Sequence, residues 1–166
     1  MPPVKNLTYA TLDQDRTMSL MSSSPLPSAR GPQALLVACE SEEALYLRSR
    51  LSLYRVAVHE AWTATQAVEH CAEHLVHVAF VDAEVVGAPL LALCQQLRRK
   101  HPCRPAPQLV LLGGAGQRRA LGLRGVLAGG AWLAKPLHPR ELDRQILRRI
   151  GLGHLAPEER PTSLFT

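Results

Sequence analysis

The chain has 166 residues, 46% of them hydrophobic and only 4% aromatic, with a formal charge of +5. That length admits one ordinary domain with flanking segments, and the apolar share excludes a disordered chain. No apolar run nears the ~20 residues of a membrane span, and the N-terminus "MPPVKNLTYATLDQ" lacks the apolar stretch of a signal peptide. A cytoplasmic location is therefore expected. Cys39, Cys71, Cys94 and Cys103 show no CxxC spacing, and free thiols fit that compartment.

Residues 1–31 are rich in Ser, Pro and Gly without apolar period, and read as a flexible leader. The ordered domain is expected over 32–151, followed by a tail over 152–166. "ALLVA" (34–38) is a short buried strand. Ser41 then caps a helix with Glu42 and Glu43 in its first turn, where the macrodipole favours them, and with Leu47 and Leu51 on one face. "YRVAVH" (54–59) reads as the second strand and "TATQAVEHCAEH" (63–74) as the second helix. "HVAFVD" (77–82) is the third strand. "PLLALCQQLRRK" (89–100) is the third helix, with Leu90, Leu93, Cys94 and Leu97 on one face. "PQLVLLGG" (107–114) is the fourth strand. "QRRALGLRGVLA" (117–128) is a poor fourth helix, weakened by Gly122 and Gly125. "AWLAKP" (131–136) is the fifth strand. "PRELDRQILRRI" (139–150) is the fifth helix, with Pro139 in its first turn and Leu142, Ile146 and Ile150 four apart.

Five strand–helix units with buried, non-alternating strands predict an α/β single domain. It should have one five-stranded parallel sheet, doubly wound by helices. Such sheets place their sites outside the carboxyl ends of the strands. That singles out Asp82, a lone carboxylate ending an apolar strand.

These residues resemble the receiver domain of bacterial response regulators, over about 120 positions. The likeness rests on Asp82 at the phosphoacceptor position, on "AGGAWLAKP" with Lys135-Pro136 closing the fifth strand, and on the order of the five units. It implies the flavodoxin-like receiver fold, a cis Lys135–Pro136 bond, and Lys135 as the clamp on a phosphoryl group. Trp132 then stands at the aromatic switch position. Gly113, 22 residues before Lys135, stands where the family has its switch hydroxyl.

The chain departs from the family at several of these points. Ala38 and Cys39 occupy the positions of the acidic pair, with only Glu40 beside them; Val86 replaces the Pro that follows the phosphoacceptor, and Gly87 adjoins it. Aspartyl phosphorylation needs Mg²⁺ because two negative groups must meet, and Mg²⁺ wants carboxylate oxygens in octahedral array. Asp82 and Lys135 alone form a neutral pair, so Mg²⁺ binding is expected to be weak or absent, and no other metal or cofactor is implied. The expected function is a degenerate, stand-alone receiver (a pseudo-receiver) acting in two-component or phosphorelay signalling through protein contacts, with no enzymatic activity. The tail is too short for an effector domain, so output is expected through a kinase, another regulator or a second copy. One alternative is a weak but genuine Asp82 phosphoacceptor with poor metal help from Glu40.

Basic clusters flank the last three helices. By the resemblance, the output face made by the fourth helix, fifth strand and fifth helix would carry Arg118, Arg119, Arg124, Arg140, Arg144 and Arg148. An acidic protein surface suits them. A nucleic-acid partner on the same face is the other alternative, but neither a recognition-helix motif nor interleaved aromatics supports it. "HCAEH" (70–74) matches the inverted zinc-peptidase pattern, yet a peptidase needs a third ligand and a cleft. A solvated helix face is the expected reading.

Overall fold

The computed structural model describes residues 31–38, 40–84, 89–99, 106–127 and 130–151. Ten elements alternate along them: β1 (Gln33–Val37), α1 (Glu42–Leu53), β2 (Ala57–Ala61), α2 (Ala64–Glu73), β3 (Val78–Asp82), α3 (Leu90–Arg99), β4 (Gln108–Gly113), α4 (Ala115–Leu127), β5 (Ala131–Ala134) and α5 (Pro139–Ile150). The five strands form one parallel sheet in the order β2-β1-β3-β4-β5. This is the doubly wound α/β architecture that the sequence predicts.

Each face of the sheet carries its own apolar layer, because successive strand residues point to opposite sides. Leu35, Val37, Ala79, Val81, Leu109 and Leu111 meet Ala67, Val68 and Cys71 of α2 and Leu90, Leu93, Cys94 and Leu97 of α3. On the other side, Ala34, Leu36, Val78, Phe80, Val110 and Leu112 meet Leu47 and Leu51 of α1 and Leu142 and Ile146 of α5. β3 is central and wholly buried, which is why its five residues run apolar without alternation until Asp82. β2 lies at the sheet edge and is half-buried along most of its length.

The helix starts follow the chain's local chemistry. Ser41 Oγ accepts the Ala44 N–H at 3.1 Å and Thr63 Oγ1 accepts that of Gln66 at 3.2 Å, each satisfying a donor that the first helical turn leaves open. Pro139 opens α5, where no amide donor is needed. A buried link also joins α1 to α5: Arg50 Nε donates to Asp143 Oδ1 at 3.0 Å, and Arg50 Nη2 pairs with Asp143 Oδ2. Asp143 is only 4% exposed.

The second strand does not begin at residue 54. Tyr54 ends α1 instead, its N–H donating back to the Leu51 carbonyl and the next N–H, of Arg55, to that of Ser52, with the Tyr54 side chain fully buried. Arg55 takes a left-handed backbone with φ 53, which turns the chain before β2 starts at Ala57. Tyr54, Val56 and Val58 alternate like strand residues, but the helix end uses the first of them as a plug.

Candidate functional site

The strand order reverses direction of growth between β1 and β3, so the crevice outside their carboxyl ends is the place for a site. Asp82, the last residue of β3, lies there and is 4% exposed. Ala83 N–H donates to the Leu112 carbonyl at 2.8 Å, which carries the chain past β4 and fixes the aspartate at the sheet's rim. Lys135 follows β5, and its N–H donates to the Gly113 carbonyl at 3.1 Å. The next peptide bond, Lys135–Pro136, is cis, as the resemblance implied.

Lys135 Nζ lies 2.7 Å from Asp82 Oδ2, 3.1 Å from Glu43 Oε2 and 3.2 Å from Glu84 Oε2. The other Asp82 oxygen, Oδ1, accepts the Glu84 N–H at 2.9 Å. Burial pulls the Lys135 ammonium towards its neutral form. Its hydrogen bonds to Asp82 and then Glu43 outweigh that, so its pKa is held above the ordinary lysine value. The group stays charged at any working pH.

The expectation of a neutral pocket is therefore corrected. Three carboxylates face one ammonium, which leaves two negative charges in excess. Glu43 comes from the first turn of α1 and Glu84 from the loop after β3. Glu43 was legible as a macrodipole residue, and the helix that follows β1 necessarily starts at the same rim as Asp82. Glu84 was missed, and its place two residues beyond the strand end was the signal that could have found it. Glu40, the candidate helper, is exposed instead and lines a separate cavity of ≈ 180 Å³ with Ser41, Arg48, Glu60 and Trp62. Ala38 is buried and offers no oxygen. Cys39, Val86 and Gly87 lie outside the described residues.

The switch positions are brought together in a way the sequence did not reveal. Gly113 is buried at the end of β4, and a Cβ built on it would stand 2.9 Å from Cζ2 and 3.0 Å from Cη2 of Trp132. It would also meet Gln117 Oε1. The indole thus covers the ground that a Ser or Thr side chain would need. It packs against the α2–α3 layer, as Leu121 also does. Its buried Nε1 has no hydrogen-bond partner among the described residues, so apolar area and shape hold the ring in place. Gln117 Oε1 accepts the Gly114 N–H at 2.8 Å, occupying a donor at the mouth of α4.

Among the expected output residues, Arg118 and Arg119 are exposed on α4, and Arg140, Arg144 and Arg148 are exposed at four-residue spacing along α5. Arg144 is paired with Glu141. The side chain of Arg124 lies outside the described residues.

No family model and no curated protein matches the chain. Solved structures do match. A response regulator from Chloroflexus aurantiacus superimposes with TM-score 0.64 at 24% identity, covering 73% of this chain and 98% of that one. The receiver domain of the sensor histidine kinase PA1611 from Pseudomonas aeruginosa, solved with magnesium in its active-site cleft, gives TM-score 0.60 at 22% identity, covering 73% and 98%. The receiver domain of Saccharomyces cerevisiae Ssk1, solved with the phosphotransfer protein Ypd1, gives 0.64 at 18%, covering 76% and 94%. The fold is that of a receiver domain. Within that fold, Asp82 and Lys135 are in direct contact, with Glu43 and Glu84 as the other acids on the ammonium. No helix among the described residues is long and apolar enough to cross a membrane.

Proposed function

We propose that this chain is a receiver-like signalling module of two-component or phosphorelay type. It works through protein–protein association, without normal magnesium-dependent phosphorylation and without catalysis of its own. The observation that carries this reading is the seating of the Trp132 ring over Gly113. A phosphoryl group on Asp82 would find no hydroxyl on β4 to grip. The aromatic ring already fills the adjoining space, so little movement is left to transmit. A second support is the shared engagement of Lys135: each of the three carboxylates gives it an oxygen. An octahedral Mg²⁺ needs such oxygens turned on itself, and Ala38 supplies none. Magnesium does not fit this donor set as it stands, and weak or absent binding is the reading we adopt.

The partner is a protein, either a signalling kinase, another regulator or a second copy. The exposed arginines of α4 and α5 suit an acidic surface. Nucleic acid is disfavoured on that face for want of stacking aromatics, and a gel shift whose affinity fell steeply with salt would favour it instead. The module acts in the cytoplasm.

The two excess negative charges favour one second reading. They give the pocket an electrostatic demand for a cation, as a weak but genuine phosphoacceptor would need, with Asp82 as nucleophile and Lys135 as clamp. Incubation with acetyl phosphate and Mg²⁺, followed by intact mass on wild type and Asp82→Asn, separates the two. No phosphoryl adduct on the wild type is expected. A stoichiometric adduct absent from Asp82→Asn would establish the second reading.

A further inference from the structure

The "HCAEH" stretch gains in the fold what its sequence lacks, a third imidazole. His70 and His74, one turn apart on α2, stack with ring centroids 4.3 Å apart and planes at 11°. His59 of β2 comes from the neighbouring strand, its centroid 4.5 Å from that of His70 and 6.1 Å from that of His74. Three imidazoles on a small half-buried surface are not explained by packing, since any apolar side chain would fill that space more cheaply.

Two details fit these rings to an ion. The His74 Nδ1 lies 3.3 Å from the His70 carbonyl oxygen. A proton on that nitrogen leaves Nε2 of His74 with the lone pair, which is how metal-binding imidazoles are commonly oriented. The Nε2 of His70 is buried without a hydrogen-bond partner among the described residues, and an unmatched polar atom of this kind calls for a ligand. The rings lie face to face, and as they stand no three His, Cys, Asp or Glu side chains among the described residues form a set that could hold an ion. Loading therefore requires the rings to turn about their side-chain bonds, which the exposed His74 is free to do.

We propose that His59, His70 and His74 form a binding site for a borderline divalent transition cation such as Zn²⁺, separate from the Asp82 crevice. Imidazole nitrogens without hard oxygen ligands select such ions over Mg²⁺ or Ca²⁺. An ion held by all three rings ties the edge strand β2 to α2, so occupancy stiffens one side of the platform. The proposal does not depend on the signalling reading.

The test uses untagged, chelator-treated full-length chain, titrated with ZnCl₂ by calorimetry and thermal shift, and with Co²⁺ by absorption. The expected result is saturable uptake of about one ion per chain, with a rise in melting temperature. His74→Ala and His59→Gln, each shown to be folded by circular dichroism, are expected to weaken binding roughly tenfold or more. The Co²⁺ spectrum should lack a thiolate charge-transfer band. No saturable uptake, an affinity unchanged in the exposed-site variant His74→Ala or in His59→Gln, or a thiolate band pointing to cysteine ligands would each overturn the proposal.

Discussion

Restoring the family's hydroxyl by Gly113→Ser tests the seating of Trp132 directly. The new Cβ would lie 2.9 and 3.0 Å from two indole carbons, closer than van der Waals contact, and would also strike Gln117 Oε1. Gln117 is the flexible end of a side chain and can leave, but it then gives up the Gly114 N–H, worth ~0.5–1.5 kcal/mol. The indole is broad and packed, and relieving its overlap costs ~1–3 kcal/mol. Together the substitution should destabilise by roughly 2–4 kcal/mol, a fall in melting temperature on the order of 10 °C for a domain of this size. Trp62 is 47% exposed and would confuse the optical signal, so the measurement belongs in a Trp62→Phe background. There, urea unfolding should show the loss, and Trp132 emission should shift to the red as the ring is pushed towards water. In Gly113→Ser/Trp132→Ala the clash is gone, so the cycle should show a coupling of ~1 kcal/mol or more. A Gly113→Ser variant within ~0.5 kcal/mol of its parent, with unchanged emission, would mean that the ring does not hold that ground.

Lys135→Ala should cost ~3–5 kcal/mol at neutral pH, because it strands the buried Asp82 beside Glu43 and Glu84; added Mg²⁺ should recover part of the loss, read by urea midpoints with and without the ion. Asp143→Ala should cost a similar ~3–5 kcal/mol by breaking the link between α1 and α5, measured by the same unfolding curves. In chelator-treated protein, stability should be full above pH 6.5 and fall as pH drops towards 4, because the unfolded chain takes up a proton on His70 that the fold resists. Discounted for partial exposure, the loss is ~1–2 kcal/mol, and His70→Gln should flatten the slope of urea midpoint against pH. Burial pushes the Cys71 and Cys94 thiols up to about 11; both should resist iodoacetamide in the native state at pH 8, and peptide mass spectrometry showing rapid modification of either would contradict their burial.

The architecture was legible because its signals are redundant. Buried parallel strands need long apolar runs, and "ALLVA", "VAFV" and "LVLL" have few other uses. The error at the second strand arose where that redundancy failed. An edge strand is only half-buried, so its pattern is weak, and Tyr54 and Val56 extended it falsely into the end of α1. Asp82, Lys135 and the vacancy at Gly113 were visible from order and spacing along the chain. What spacing did not convey was which acids turn inward. Glu40 is close to the pocket in sequence yet is exposed and lines a different cavity, shared with Arg48 and Trp62. Glu43 is three residues further on, and one helical turn brings it back to Lys135. Gln117 and His59 escaped for the same reason: their partners are fixed by the sheet order, which residue types alone do not encode.

The site's charge count and its geometry point in different directions, and geometry has the stronger claim on metal chemistry. A surplus of two negative charges raises the local concentration of any cation, but that attraction is diffuse and is screened by salt. Magnesium is held by directed oxygens, and it sheds water reluctantly. In this pocket the point on which three carboxylates converge is already an ammonium, held by contacts of 2.7 to 3.2 Å. An incoming dication must displace that ammonium or settle at the rim through water. Displacement leaves a buried lysine without partners, which is expensive; settlement at the rim leaves the aspartate oxygen still engaged by Nζ. Either route penalises the metal, and that penalty is the physical ground for the weak magnesium binding proposed above.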